Sequence, residues 1–215
     1  MNAMLAIAIP LPAILDQPLP IGPSRRHRID GFHLTNASVD RFNTLLANLG
    51  RRSAPLDCDR LATAARELRD HAAGSSEPAC ILQRMKRLQA AASMVDDAQW
   101  EPADEAGNLA SLIVQYASGR FQLLPNYLPT IGHLDDAIAV EAAWPSIRAE
   151  VVDFLDYCRI RSLEAGLRGR EPGAFGFTRA DWEEARRAEY FLDRQRRCIR
   201  DSSYVPLMEP RFAIH

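Results

Sequence analysis

Apolar positions recur along most of the chain at the three-to-four-residue spacing of a helix that buries one face. Val39, Phe42, Leu45, Leu46 and Leu49 make the first such stripe, and Gly50 follows as a stop. Leu61, Ala65, Leu68 and Ala72 make a second, over a helix expected from about Asp57 to Ala73, with Gly74 ending it. A third helix starts near Pro78, a residue suited to a first helical turn; its stripe is Ile81, Leu82, Met85, Leu88 and Ala92. Trp100-Glu101-Pro102 interrupts the pattern. Asp104 and Glu105 then suit the positive end of a fourth helix, whose later part, from Leu109 to Ala117, is apolar nearly all round and is expected to be enclosed.

After Gly119 and Arg120 comes a loop with prolines at 125 and 129, then a fifth helix from about Leu134 to Trp144. Pro145 ends it or starts the next. The sixth runs from about Ser146 to Ala165, with Ile147, Val151, Phe154, Leu155, Cys158 and Leu163 inward. A seventh opens at Thr178, with Asp181 at capping-box distance, and continues to about Arg200. No alternating strand pattern and no solenoid repeat stands out. The expected fold is all-α: six or seven helices around a central apolar hairpin. Proline-rich extended arms flank it, so that residues 1–35 form an arm and basic linker, 36–200 one helical domain and 201–215 a tail.

Composition adds bounds. The chain has 215 residues, 47% hydrophobic and 25% charged, with a net charge of −2. That is a globular balance with no basic footprint, so no nucleic-acid partner is expected. No apolar run reaches the roughly eighteen residues of a spanning helix. Met1 to Leu15 carries no charge and is not expected to be a secretory signal, which needs a positive start. Cys58, Cys80, Cys158 and Cys198 lack zinc-site spacing and read as buried free thiols, compatible with a reducing cytoplasm. One lysine, Lys86, stands against twenty-five arginines. That bias reads as genomic base composition rather than as arginine chemistry. GxSxG, GxxxxGK[ST], GxGxxG and HExxH are all absent.

The densest candidate chemistry is Pro129-Thr-Ile-Gly132-His133-Leu134-Asp135-Asp136. It delivers a histidine and two carboxylates to a helix start. Three readings compete. The carboxylates cap the helix; or they hold a divalent metal together with His133 or Glu141; or the loop contacts a partner or lipid. Adjacent carboxylates on a helix diverge by about 100°, so one ion needs further ligands, such as Asp153, Asp156 or Glu105. Glu141 lies within an apolar stretch. It reads as exposed, or as buried and paired with Arg120 or Arg148. The basic cluster at Arg194, Arg196, Arg197 and Arg200 suits a helix C-terminus, with an anionic partner as the alternative.

The segment Leu109–Trp144 resembles the YkvA-type family, a small bacterial domain of unknown function. Its members carry an apolar helix, a loop of the form D-x-I-P-D-F-I-P-x-x-G-x-x-D-D and a second apolar helix. Pro125, Tyr127, Pro129, Gly132, Asp135 and Asp136 match in order; Asn126 stands where the family has an acid. The resemblance covers about 36 of 215 residues. It implies a helical hairpin whose Pro125, Pro129, Gly132, Asp135 and Asp136 are structural, and a tendency toward membranes, with no established reaction. The function expected is therefore non-enzymatic: a cytoplasmic protein, without a cofactor, that binds a protein partner or the inner membrane face. A metal-dependent hydrolase using His133, Asp135 and Asp136 is the alternative, and an accessory or immunity-type binder is a third.

Overall fold

From Leu134 to Val140 every residue is buried, although a surface helix would show a polar face within two turns. The helix they begin is the core of the first part of the molecule. The computed structural model describes residues 9–17, 26–29, 31–72 and 76–203, with side chains to 198 in the last helix. The apolar run before Ile9, the prolines at 18, 20 and 23, the expected stop at Gly74 and the tail from Tyr204 lie outside the described residues.

The described residues form six α-helices: α1 (Asn36–Asn48), α2 (Cys58–His71), α3 (Ala79–Asp96), α4 (Asp104–Ser118), α5 (Leu134–Leu167) and α6 (Arg179–Ser203). The fold is thus essentially all-α. The strands β1 (Arg28–Ile29) and β2 (Phe32–His33) pair antiparallel and are two residues each. They are too short to give an alternating pattern, which is why the sequence reads there as a linker. The chain divides into two compact units, Met1–Leu155 and Asp156–His215.

In the first unit, capping follows the local chemistry. Thr35 and Ser38 form a reciprocal box at the start of α1, and the Asp57 carboxylate accepts the Arg60 amide at the start of α2. Within the N-terminal arm, Ala13–Asp16 make one 3₁₀ turn that buries Leu15. The Leu15 carbonyl accepts from Arg51, and the Ile9 carbonyl accepts from Arg84.

Three expectations change. First, the two helices placed on either side of Pro145 are a single helix, α5, with the proline inside it. An interior proline costs about 3 kcal/mol, but Ile138, Ala139, Val140, Ala143, Trp144, Ile147 and Val151 are all buried around it, and that packing carries the helix through. Second, the inward face of α3 is rotated: Ile81, Arg84, Arg87, Ala91 and Met94 are buried, while Leu82 is 44% exposed. Third, α4 is not enclosed. It packs on α3 and buries Ala106, Ala110 and Ile113, but leaves Leu112 on the surface.

In the second unit, Tyr157 is fully buried, stacks on Phe177 and donates its hydroxyl to the Phe177 carbonyl. The α6 start is held by Thr178 and Asp181, and the Trp182 indole donates to Asp156. Leu163, expected inward, is 56% exposed. All four cysteines are free thiols; Cys58 and Cys80 are buried, whereas Cys158 is half-buried and Cys198 exposed.

Candidate functional site

The loop between α4 and α5 is built by its prolines and one glycine. Pro125 and Pro129 preset their own φ near −65°. The Leu128 amide donates to the Pro125 carbonyl and the Gly132 amide to the Leu128 carbonyl, closing two successive turns. Gly132 is required for space: a Cβ there would lie 2.6 Å from the Asn126 carbonyl oxygen and 2.9 Å from that of Leu128. Thr130 takes a positive φ of 71°, an uncommon conformation for a β-branched residue. Leu123, Leu124, Leu128, Ile131 and Leu134 are all buried, so the loop is packed down by its own leucines.

The buried carboxylate of Asp135 locks this loop. Its Oδ2 accepts the Tyr116 hydroxyl at 2.6 Å, the Leu123 amide at 2.9 Å and the Leu124 amide at 3.0 Å. The Leu123 amide also reaches the Tyr116 hydroxyl oxygen, at 2.9 Å. One side chain at the start of α5 therefore ties the end of α4 and the first loop residues together. Burial pushes the Asp135 carboxyl up to about 6; the neighbouring Asp136 adds to this, while the donors from Tyr116 and Leu124 oppose it. Burial and the adjacent Asp135 likewise push the Tyr116 phenol up.

Asp136 points elsewhere. Its Oδ2 meets the His133 ring Nδ1 at 3.0 Å, one turn back. Burial raises its carboxyl, and His133 opposes the rise. The Oδ1 atoms of Asp135 and Asp136 are both buried without a hydrogen-bond partner. The sequence cluster is thus brought together as His133–Asp136 and, separately, Asp135–Tyr116. Among the described residues no group of three or more His, Cys, Asp or Glu side chains is placed to hold a metal ion. The further acids Glu105, Asp153 and Asp156 do not complete one.

Glu141 is placed differently from either sequence expectation. It is half-buried, and its Oε2 meets Arg84 at 2.9 Å and Arg87 at 3.7 Å. Arg120 and Arg148 are not its ion-pair partners. Arg84 also donates to the Ile9 and Cys80 carbonyls. Arg87 lies 4.5 Å over the Trp144 ring, and burial pulls its guanidinium down from its ordinary value. These two arginines are residues that sequence reasoning missed. The available signal was their spacing, three apart and in phase with Ile81, Ala91 and Met94.

Outside this packed interior, the same loop displays two aromatics. Phe121 is 85% and Tyr127 79% exposed. Phe121, Leu112, Leu45 and Phe42 line a surface groove of about 410 Å³ together with Arg41 and Arg120, and no acidic side chain lines it. No described helix is long and apolar enough to cross a membrane. Comparison with family models, with curated proteins and with solved structures returned no match.

Proposed function

We propose that this chain is a non-enzymatic YkvA-like helical protein that docks peripherally on an anionic membrane surface through the α4–α5 loop. The observation that carries this reading is a pair of exposed aromatics, Phe121 and Tyr127, on a loop whose backbone is clamped from beneath by Asp135. A tyrosine ring favours the water–lipid boundary, where its apolar body and its hydroxyl are both accommodated, and a phenylalanine ring adds purely apolar contact there. A loop already ordered loses little further entropy when it docks. Arg41 and Arg120 beside Phe121, in a groove without acids, suit anionic headgroups; a cationic residue close to such a surface contributes about 1 kcal/mol. Asp135, Gly132 and the two prolines then act by presenting the loop rather than by touching a ligand.

The test is flotation of the purified chain with phosphatidylcholine vesicles, with and without phosphatidylglycerol. The chain is expected to float with the anionic vesicles. Phe121→Ser/Tyr127→Ser should weaken that binding by roughly tenfold or more, with an unchanged melting temperature because both rings are exposed. Equal recovery of wild type and variant, or no flotation of either, would overturn the reading.

A further inference from the structure

The described part of α6 beyond Ala185 is bare. From Arg186 to Cys198 every residue is exposed, on all sides of the helix. Tyr190, Phe191 and Leu192 are 65%, 64% and 53% exposed, although helices of this kind normally owe their stability to a covered face. The first turns are anchored within their own unit by the Thr178–Asp181 box and by buried Trp182.

The side chains of this segment are sorted. At about 100° per residue, Cys198, Phe191, Gln195, Ala188 and Leu192 fall within an arc of roughly 120°. Arg187 and Arg194 border one edge of it, and Arg196 borders the other. Asp193, Arg186, Arg197 and Tyr190 fall on the opposite side, and Glu189 lies beyond Arg196. Over 186–198 there are five arginines and two acids. Glu189 meets Arg186 at 2.8 Å and Arg159 at 3.6 Å, Asp193 meets Arg196 at 3.9 Å, and Glu183, just before the segment, meets Arg187 at 3.5 Å.

We infer that residues 186–198 form an interfacial helix that lies in the headgroup region of an anionic membrane, a contact additional to that of the α4–α5 loop; the inference shares the membrane reading above. Low overall hydrophobicity, a narrow apolar arc and arginines at its borders are what such a helix requires. The arginine stems can run along the apolar face while their heads reach lipid phosphates. The alternative occupant, the same helix of a second copy, fits less well. Among the described side chains, Phe191 and Leu192 are the only large apolar ones on the arc, few for the roughly 800 Å² per partner of a stable interface. Two such segments would also oppose five arginines to five.

Cys198 supplies the probe, being exposed where Cys58 and Cys80 are buried. The full chain is labelled with an environment-sensitive fluorophore in a background where Cys158 is serine. Phosphatidylglycerol-containing vesicles are expected to blue-shift the label, and phosphatidylcholine vesicles are not. Phe191→Ser/Leu192→Ser should abolish the shift and weaken flotation by roughly tenfold. Phe121→Ser/Tyr127→Ser should weaken flotation yet keep the shift in the fraction that floats. A chain that floats with its label still in water would overturn the α6 contact and leave the loop reading standing. A chain that does not float at all would overturn both. A blue shift without vesicles, together with a dimer in light scattering that Phe191→Ser/Leu192→Ser dissolves, would assign the face to a second copy instead.

Discussion

Asp135 shows how one buried carboxylate at a helix start can hold a whole loop. Its Oδ2 gathers three donors while its Oδ1 has none. Removing the side chain takes the acceptor from the buried Leu124 amide and from the Tyr116 hydroxyl, and leaves the Leu123 amide only the Tyr116 oxygen, at about 1–3 kcal/mol for each unsatisfied group. Asp135→Ala is therefore expected to lose several kcal/mol in denaturant titrations. Asp135→Asn keeps an acceptor and should fold. Because the folded carboxyl sits at about 6, above the ordinary aspartate value of 3.8, the protonated form is favoured by folding. The stability it contributes is complete below the unfolded value and fades as pH rises through about 6. The wild type should gain about 1–3 kcal/mol from this group on acidification from neutral pH toward pH 4, and Asp135→Asn should flatten that part of the profile. Melts with Mg²⁺, Mn²⁺, Zn²⁺ or EDTA should be unshifted. A stabilising shift lost in Asp135→Asn would restore the metal reading. Arg60 poses the opposite problem. It is 2% exposed and donates to the Pro55 carbonyl, while Nε and Nη2 are buried without partners. An unpaired buried charge is costly, so Arg60→Met is expected to leave the melting temperature unchanged or raise it.

At the level of elements, the α4–α5 loop is held by shape as much as by hydrogen bonds. Gly132→Ala would drive a methyl group into the Asn126 and Leu128 carbonyls. Because these are backbone atoms of a packed turn, the expected loss is about 2–4 kcal/mol, read from chemical denaturation, together with weaker vesicle binding as the loop loosens. The order of helices, the start of α2 near Asp57 and the Thr178–Asp181 box were all legible in the chain, because each depends on residues within a few positions of one another. The fate of Pro145 was not. Local sequence makes proline a break; only the burial of Trp144 and Ile147 beside it, from elements far along the chain, makes one helix of α5.

On the scale of the molecule, a net charge of −2 conceals strong local sorting. Five arginines and two acids share thirteen residues of α6, and the groove beside Phe121 has two arginines and no acid. Vesicle binding is accordingly expected to weaken as salt rises, since local arginines rather than overall charge attract the surface. Binding that is insensitive to salt would mean that the apolar contacts alone suffice. The arginine excess was read from composition as a genomic habit, and that reading overlooked Arg60, Arg84 and Arg87 in the interior. A long aliphatic stem lets a guanidinium occupy a helix's inner face when a carbonyl or carboxylate waits there, and such a partner can come from anywhere in the chain.

The sequence by itself determined the all-α class, nearly all the helix positions, and the proline–glycine turn that joins α4 to α5. Those features rest on periodicity and on turn chemistry, both local. Tertiary structure alone decided that Asp135 clamps Leu123 and Leu124 while Asp136 turns to His133, that Glu141 pairs with Arg84, and which face of α3 is inward. It also decided that Phe121, Tyr127 and the Phe191 face remain uncovered. A side chain's partner is set by what the fold brings opposite it, and an apolar residue's exposure by what the fold fails to bring.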